Sequence, residues 1–158
     1  MGVSGCGKSS LGVALAEQLD IPFFEGDELH PPANVEKMRS GTPLTDADRW
    51  PWLDRVTQCL ADTPAAIVSC SALRRAYRDR IRSGVGGSVR FIHLTGTRDL
   101  LNRRMQARVG HYMPAALLDS QLAALEAPDV DEALIIDIAL SLDAIVAAAL
   151  NYLKEEVS

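Results

Sequence analysis

The feature that most constrains this chain is its opening, Met1-Gly2-Val3-Ser4-Gly5-Cys6-Gly7-Lys8-Ser9-Ser10. Gly2 to Ser9 match G-x-x-x-x-G-K-[ST], a loop that cradles phosphate. Glycines let such a loop curl until successive backbone N–H groups point inward at phosphate oxygens. Gly7 leads into a helix whose positive N-terminal end faces the same anion. The pattern assigns nucleotide phosphates to Gly5, Gly7, Lys8 and Ser9, with Ser10 in reach of the α-phosphate. Lys8 reaches the β- and γ-phosphates, and the Ser9 hydroxyl is offered to Mg²⁺. A chance glycine-rich turn is the competing reading. It is disfavoured because Leu11 to Leu19 reads as the helix that the loop must feed.

A loop of this kind normally follows a buried strand, and only Met1 precedes Gly2. The expectation is that the sequence starts at an internal methionine, so that the given chain lacks the strand before the loop; the alternative is a protein that manages without its first strand. Such a strand usually lies mid-sheet, so its loss bares apolar surface and unpaired edges.

The rest of the chain alternates apolar runs with helical patterns. Ile21–Phe24, Ala65–Cys70, Val89–Leu94 and Leu134–Ile138 read as strands. Ala33–Arg39, Arg49–Leu60, Ser71–Arg82, Asp99–Val109, Ala115–Leu125 and Leu142–Lys154 read as helices, with Thr45 or Asp46 capping the second and Pro51 tolerable in its first turn. This alternation predicts an α/β fold, a parallel sheet sandwiched by helices, in one domain spanning 1–158. Ligands in such a sheet lie at the carboxyl ends of the strands. That places the phosphate loop, Glu25–Asp27, Cys70–Ser71 and the loop after Leu94 around one cleft.

Composition narrows the function. A net charge of −5 argues against a nucleic-acid surface. Three scattered cysteines fit neither a disulfide framework nor a zinc site, and they suit a reducing cytoplasm. The most apolar stretch, Ala133–Leu150, is interrupted by Asp137 and Asp143, which speaks against a membrane span. No signal peptide is visible. Cys6, a thiol at a helix N-terminus, has the position of an oxidisable group.

Several segments are more specific than the loop. They are GDELHP at 26–31, NVEKMRSGTPLTDADRWPWL at 34–53, CSALRRAYRDRIR at 70–82, RVGHYMP at 108–114 and SQLAALEAP at 120–128. Together with the loop, in this order, they resemble the thermoresistant gluconokinase family of small P-loop kinases, relatives of shikimate and adenylate kinases. The resemblance implies a P-loop nucleoside/shikimate kinase-like fold and ATP- and Mg²⁺-dependent phosphorylation of D-gluconate to 6-phosphogluconate. It also implies a homodimer. Departures from the pattern are Cys6 for a serine, Leu122 for an aromatic residue, and Ala139-Leu140-Ser141 where a more polar segment holds adenine.

Phosphoryl transfer requires a phosphate clamp, a metal, a positioned hydroxyl and positive charge over the transferring group. Asp27, at a strand end facing the loop, is the candidate for orienting and deprotonating the acceptor. Glu25, two residues away on the same strand face, is a candidate for holding Mg²⁺ through water. One of the two acids could instead only cap the turn. Arg49, Arg78 and His30 lie in family-like segments and are candidates for binding gluconate, with Arg49 placed to grip the carboxylate. His30 reads equally as a turn histidine before Pro31, and Lys37 could point either way. Trp52 and Tyr77 read as core. Arg104 and Arg108 stand one helical turn apart ahead of Gly110-His111. They read as arginines of a lid around 104–120, or as a surface stripe. Rival readings are another small-molecule kinase of the shikimate type, and a nucleotide-binding form without turnover. A GTPase switch is disfavoured by the absence of N-K-x-D.

Overall fold

A computed structural model describes residues 1–108 and 115–155. The elements run α1 (Lys8–Leu19), β1 (Phe23–Glu25), a 3₁₀ turn (Gly26–Leu29), α2 (Pro32–Arg39), α3 (Asp46–Ala61) and β2 (Ile67–Ser69). They continue with α4 (Arg75–Val85), β3 (Phe91–Thr95), α5 (Arg98–Gln106), α6 (Ala115–Ala124), β4 (Ala133–Asp137) and α7 (Leu142–Lys154). The strands pair in parallel as β1 with β2 and β3 with β4, in two separate sheets. This is the expected α/β order, and among the described residues no strand precedes the phosphate loop, as the sequence indicates; the one difference is that the parallel array is split in two.

Met1 and Gly2 bridge the two sheets by main-chain hydrogen bonds. Gly2 N donates to Ser71 O (3.2 Å), and Leu94 N donates to Met1 O (3.0 Å). Helices cover both faces. Leu11 and Leu15 of α1, Leu101 and Met105 of α5, and Ile145 and Ala149 of α7 form one apolar layer with Leu94 and Ile136. Trp52, Leu53 and Val56 of α3 and Tyr77 and Ile81 of α4 form the other with Phe91 and Ala133. Phe91 and Leu94 thus send side chains to opposite faces of one strand, as alternation requires.

Local chemistry sets the helix ends. Thr45 and Asp48 form a reciprocal capping box at the start of α3. The helix therefore begins three residues earlier than hydrophobic spacing indicated, and Pro51 lies inside it rather than in its first turn. The expected helix from Ser71 starts only at Arg75. Ala72 has a left-handed backbone (φ 43°) and Arg74 is extended, so 71–74 form a turn. No helix among the described residues is long and apolar enough to cross a membrane.

Candidate active site

The phosphate loop closes on α1 without a side-chain cap. Gly7, the N-cap residue, has φ 92°, a left-handed conformation that a side chain would strain. The first-turn amides of α1 are thereby presented to an incoming anion. Lys8 Nζ folds back over the loop to donate to Val3 O (3.0 Å). Cys6, in contrast, is only 1% exposed, so burial removes it from the reach of oxidants and counts against the expected sensitivity.

β1 delivers two acids. Glu25 is its last residue, and Asp27 lies one step into the following 3₁₀ turn. The two acids therefore do not share a strand face, as simple alternation had them do. Glu25 takes hydrogen bonds from the hydroxyls of Ser9 and Ser69, one on each carboxylate oxygen. The 3₁₀ turn presses tightly on β2: a Cβ on Gly26 would stand 1.8 Å from Ser69 O. Gly26 N donates to Ser69 Oγ (3.0 Å), and Trp52 Nε1 donates to Gly26 O (2.8 Å). Trp52 is core, as read from the sequence, and it also fixes the turn that carries Asp27.

Lys8, Ser9, Glu25, Asp27, His30, Arg49 and Arg108 line one cavity of about 280 Å³, with Gly5, Ser71 and Gln121. Arg49 is 8% exposed. Its guanidinium lies 5.6 Å from the Tyr77 ring centre, and among the described residues it forms no ion pair with a carboxylate. His30 stacks on Trp52 with ring centres 4.1 Å apart. Asn34 Nδ2 donates to Asp48 O (2.8 Å) and lies 3.2 Å from His30 Nδ1. The Asp48 carbonyl can only accept, so the Asn34 amino group is on that side and His30 Nδ1 accepts from it. The proton of neutral His30 is then on Nε2. Burial, helped by the Arg49 charge, pushes the His30 pKa down to about 4, so the ring is neutral near pH 7.

Other candidates lie elsewhere. Arg78 is 1% exposed and does not line the cavity. Its Nε donates to Glu132 Oε1 (2.6 Å) and its Nη2 to Oε2 (3.1 Å), while Nη1 donates to Ala72 O and Leu73 O. With those bonds committed, Arg78 clamps the 71–74 turn instead of meeting a substrate. Arg104 and Arg108 do not share a helix face, because α5 ends at Gln106. Arg104 donates to Ile138 O (2.6 Å) and lines a smaller cavity of about 160 Å³ with Gly7, Ser10, Leu140 and Leu142. That cavity adjoins the outer side of the loop and includes Leu140 of the segment flagged for the nucleobase. Residues 109–114, the middle of the expected lid, lie outside the described residues. Lys37 turns away to pair with Asp48 (2.8 Å).

Two contributions had no motif to flag them. Gln121 Oε1 accepts from Ser4 N (2.7 Å), tying α6 to the phosphate loop. Ser71 reaches the cavity through the left-handed turn beside it. Both lie in segments that carried the family resemblance, which was the available signal.

Comparison with known proteins gives a consistent result. Residues 1–128 match the family model described as AAA domain. The gluconokinase of Gluconobacter oxydans (strain 621H) is 50% identical over 139 residues, covering 85% of this chain and 78% of that protein. The thermoresistant gluconokinase of Escherichia coli K12 is 39% identical over 161 residues, covering 98% and 91%. The crystal structure of a gluconokinase from Sinorhizobium meliloti 1021 superposes with a TM-score of 0.91 at 48% identity, covering 99% of this chain and 92% of that one.

Proposed function

Because the chain belongs to the AAA domain family and, within its curated relatives, to the gluconokinases, we propose that it transfers the γ-phosphoryl group of ATP to D-gluconate, giving 6-phospho-D-gluconate and ADP. The observation that carries this reading beyond the relatives' names is Arg49, a buried guanidinium without a carboxylate partner among the described residues, on the wall of the cavity that also holds Lys8 and Asp27. A small polyhydroxy acid supplies the missing carboxylate.

In this reading the substrate carboxylate forms a two-pronged pair with Arg49. His30 donates from Nε2 to a substrate hydroxyl. Asp27 takes the proton of the terminal hydroxyl as its oxygen attacks the γ-phosphorus, and the bond from that phosphorus to the ADP oxygen breaks. Lys8 and the amides from Gly5 to Ser9 bear the phosphate charge. Ser9 and Glu25 suit a magnesium ion, since a hydroxyl and a carboxylate already meet there, and phosphates commonly supply further ligands. Bound there, Mg²⁺ would neutralise charge on the β- and γ-oxygens. Arg108 lines the acceptor side, while Arg104, beside Leu140, serves the nucleotide side. A cytoplasmic homodimer acting on free gluconate, with neither nucleic acid nor membrane as partner, completes the proposal. The acidic net charge supports the exclusion of nucleic acid.

The test is ADP release by the 158-residue chain with Mg-ATP and gluconate, with shikimate as control. Gluconate-dependent release that fails with 6-deoxygluconate is the expected result. Equal release with shikimate, or none with gluconate, refutes the assignment.

A further inference from the structure

α6 carries a polar side chain on its apolar face. Leu117 and Leu118 are buried, and Gln121 stands four and three residues beyond them, on the same side of the helix. A glutamine in that place brings one carbonyl oxygen and two N–H donors that call for partners. The protein satisfies only the oxygen. Ser4 N can only donate, so the atom 2.7 Å from it is the Gln121 oxygen, Oε1. Nε2, on the other arm of the same planar carboxamide, has no hydrogen-bond partner among the described residues. Gln121 lines the cavity that holds Lys8 and Asp27, so its unspent donors belong to the wall of that cavity.

The carboxamide is held from several sides. The bond to Ser4 fixes its plane from the phosphate loop. Arg98 of α5 grips Asp119 of α6 with Nε (2.7 Å) and Nη2 (3.0 Å). Just beyond the helix, Glu126 N donates to Leu73 O (2.8 Å), and Arg75 N donates to the Glu126 carboxylate (2.7 Å). α6 is thus tied to the loop, to α5 and to the 71–74 turn. Lys8 and Ser9, which the loop pattern assigns to the phosphates and their metal, line the same cavity as Asp27. A group passing from ATP to an acceptor at Asp27 must lie between them. Ser4, whose amide Gln121 occupies, lines the cavity with them, which sets Nε2 beside the space that the transferred group takes.

We propose that Gln121 is a catalytic residue, whose Nε2 donates to a non-bridging oxygen of the transferred γ-phosphoryl group. The assignment rests on the kinase reading above and adds a donor that lies outside the phosphate loop. Charge on those oxygens must be matched while the bond from phosphorus to the ADP oxygen breaks and the bond to the acceptor oxygen forms. Gln121 gives up no proton in that step, since the acceptor's proton goes to Asp27. A neutral amide suits the place. One arm must accept from Ser4 N and the other must donate to phosphate, and neither a carboxylate nor an ammonium group does both.

Two substitutions separate the donor from the structural tie. Gln121→Glu keeps an acceptor for Ser4 N and loses both donors, whereas Gln121→Met loses acceptor and donors alike. Initial rates with gluconate and Mg-ATP are measured alongside thermal melts. Isothermal titration follows Mg-ADP with and without aluminium fluoride, a mimic of the phosphoryl group in transfer. The expected result is a fall in kcat of roughly 100-fold in both variants. Gln121→Glu should melt with wild type, and Gln121→Met below it. Wild type should bind ADP–aluminium fluoride at least about tenfold more tightly than ADP, and both variants should lose that preference. A Gln121→Glu chain with wild-type kcat would leave only the structural tie and overturn the proposal. A Gln121→Met chain with wild-type kcat would trace any loss in Gln121→Glu to the new charge, and would also overturn it. So would a preference for the fluoride complex that survives in Gln121→Met. A wild-type chain silent on gluconate, whose preference for the fluoride complex still disappears in both variants, would sink the substrate assignment and uphold the donor.

Discussion

Replacing Arg49 by glutamine isolates the proposed carboxylate grip. The guanidinium is 8% exposed and already stripped of most of its water, so a substrate carboxylate meets it without much further desolvation of the arginine. Losing one partner of a buried charge pair costs roughly 2–5 kcal/mol. Taking about 3 kcal/mol gives a rise of roughly 100-fold in KM for gluconate. KM for ATP should hold, since the phosphate contacts come from the loop. Stability should change little. The interaction lost within the protein is that with the Tyr77 ring, worth about 0.5–1 kcal/mol, and a costly buried charge disappears with it. Arg49→Lys keeps the charge but loses the planar fork, so a rise nearer tenfold is expected. Initial rates with each substrate varied at saturating levels of the other, alongside a thermal melt, separate these effects. A KM for gluconate within fivefold of wild type, or a parallel rise in KM for ATP, would refute the role given to Arg49.

Three further outcomes follow from named contacts. Arg78→Met leaves Glu132 buried with only Arg82 nearby, and should lower stability by about 3–5 kcal/mol in urea melts, with part recovered by adding Glu132→Leu. Glu25→Gln keeps the shape but removes the charge beside Ser9, so the Mg²⁺ concentration for half-maximal rate should rise about tenfold or more while KM for gluconate stays put. Stability should also fall in acid. His30 and His93 are each held down to about 4 chiefly by burial, with Arg49 acting on the first and the Met1 amine and Arg78 on the second. Between pH 4 and 6.5 the unfolded chain binds protons that the folded chain refuses. Stability therefore rises across that window, is fully present above 6.5 and is lost toward pH 4, by up to roughly 3 kcal/mol per histidine. Flat urea midpoints from pH 4.5 to 7 would contradict this.

What the sequence disclosed depended on how local the cause was. The loop needs only contiguous residues, so its chemistry and the helix behind it were legible at once. The meeting of Lys8 with Asp27 was legible through topology, because parallel strands bring their carboxyl ends to one edge, whereas His30 and Arg49 were flagged only by the family-like segments that hold them. Arg78 was not legible. Its neighbours in sequence advertise a basic helix, while its fate is decided by Glu132, 54 positions away. The paired reading of Arg104 and Arg108 assumed a helix through both, and α5 stops between them. Arg104 consequently meets Ile138 O and lines the smaller cavity, while Arg108 lines the cavity that holds Lys8 and Asp27.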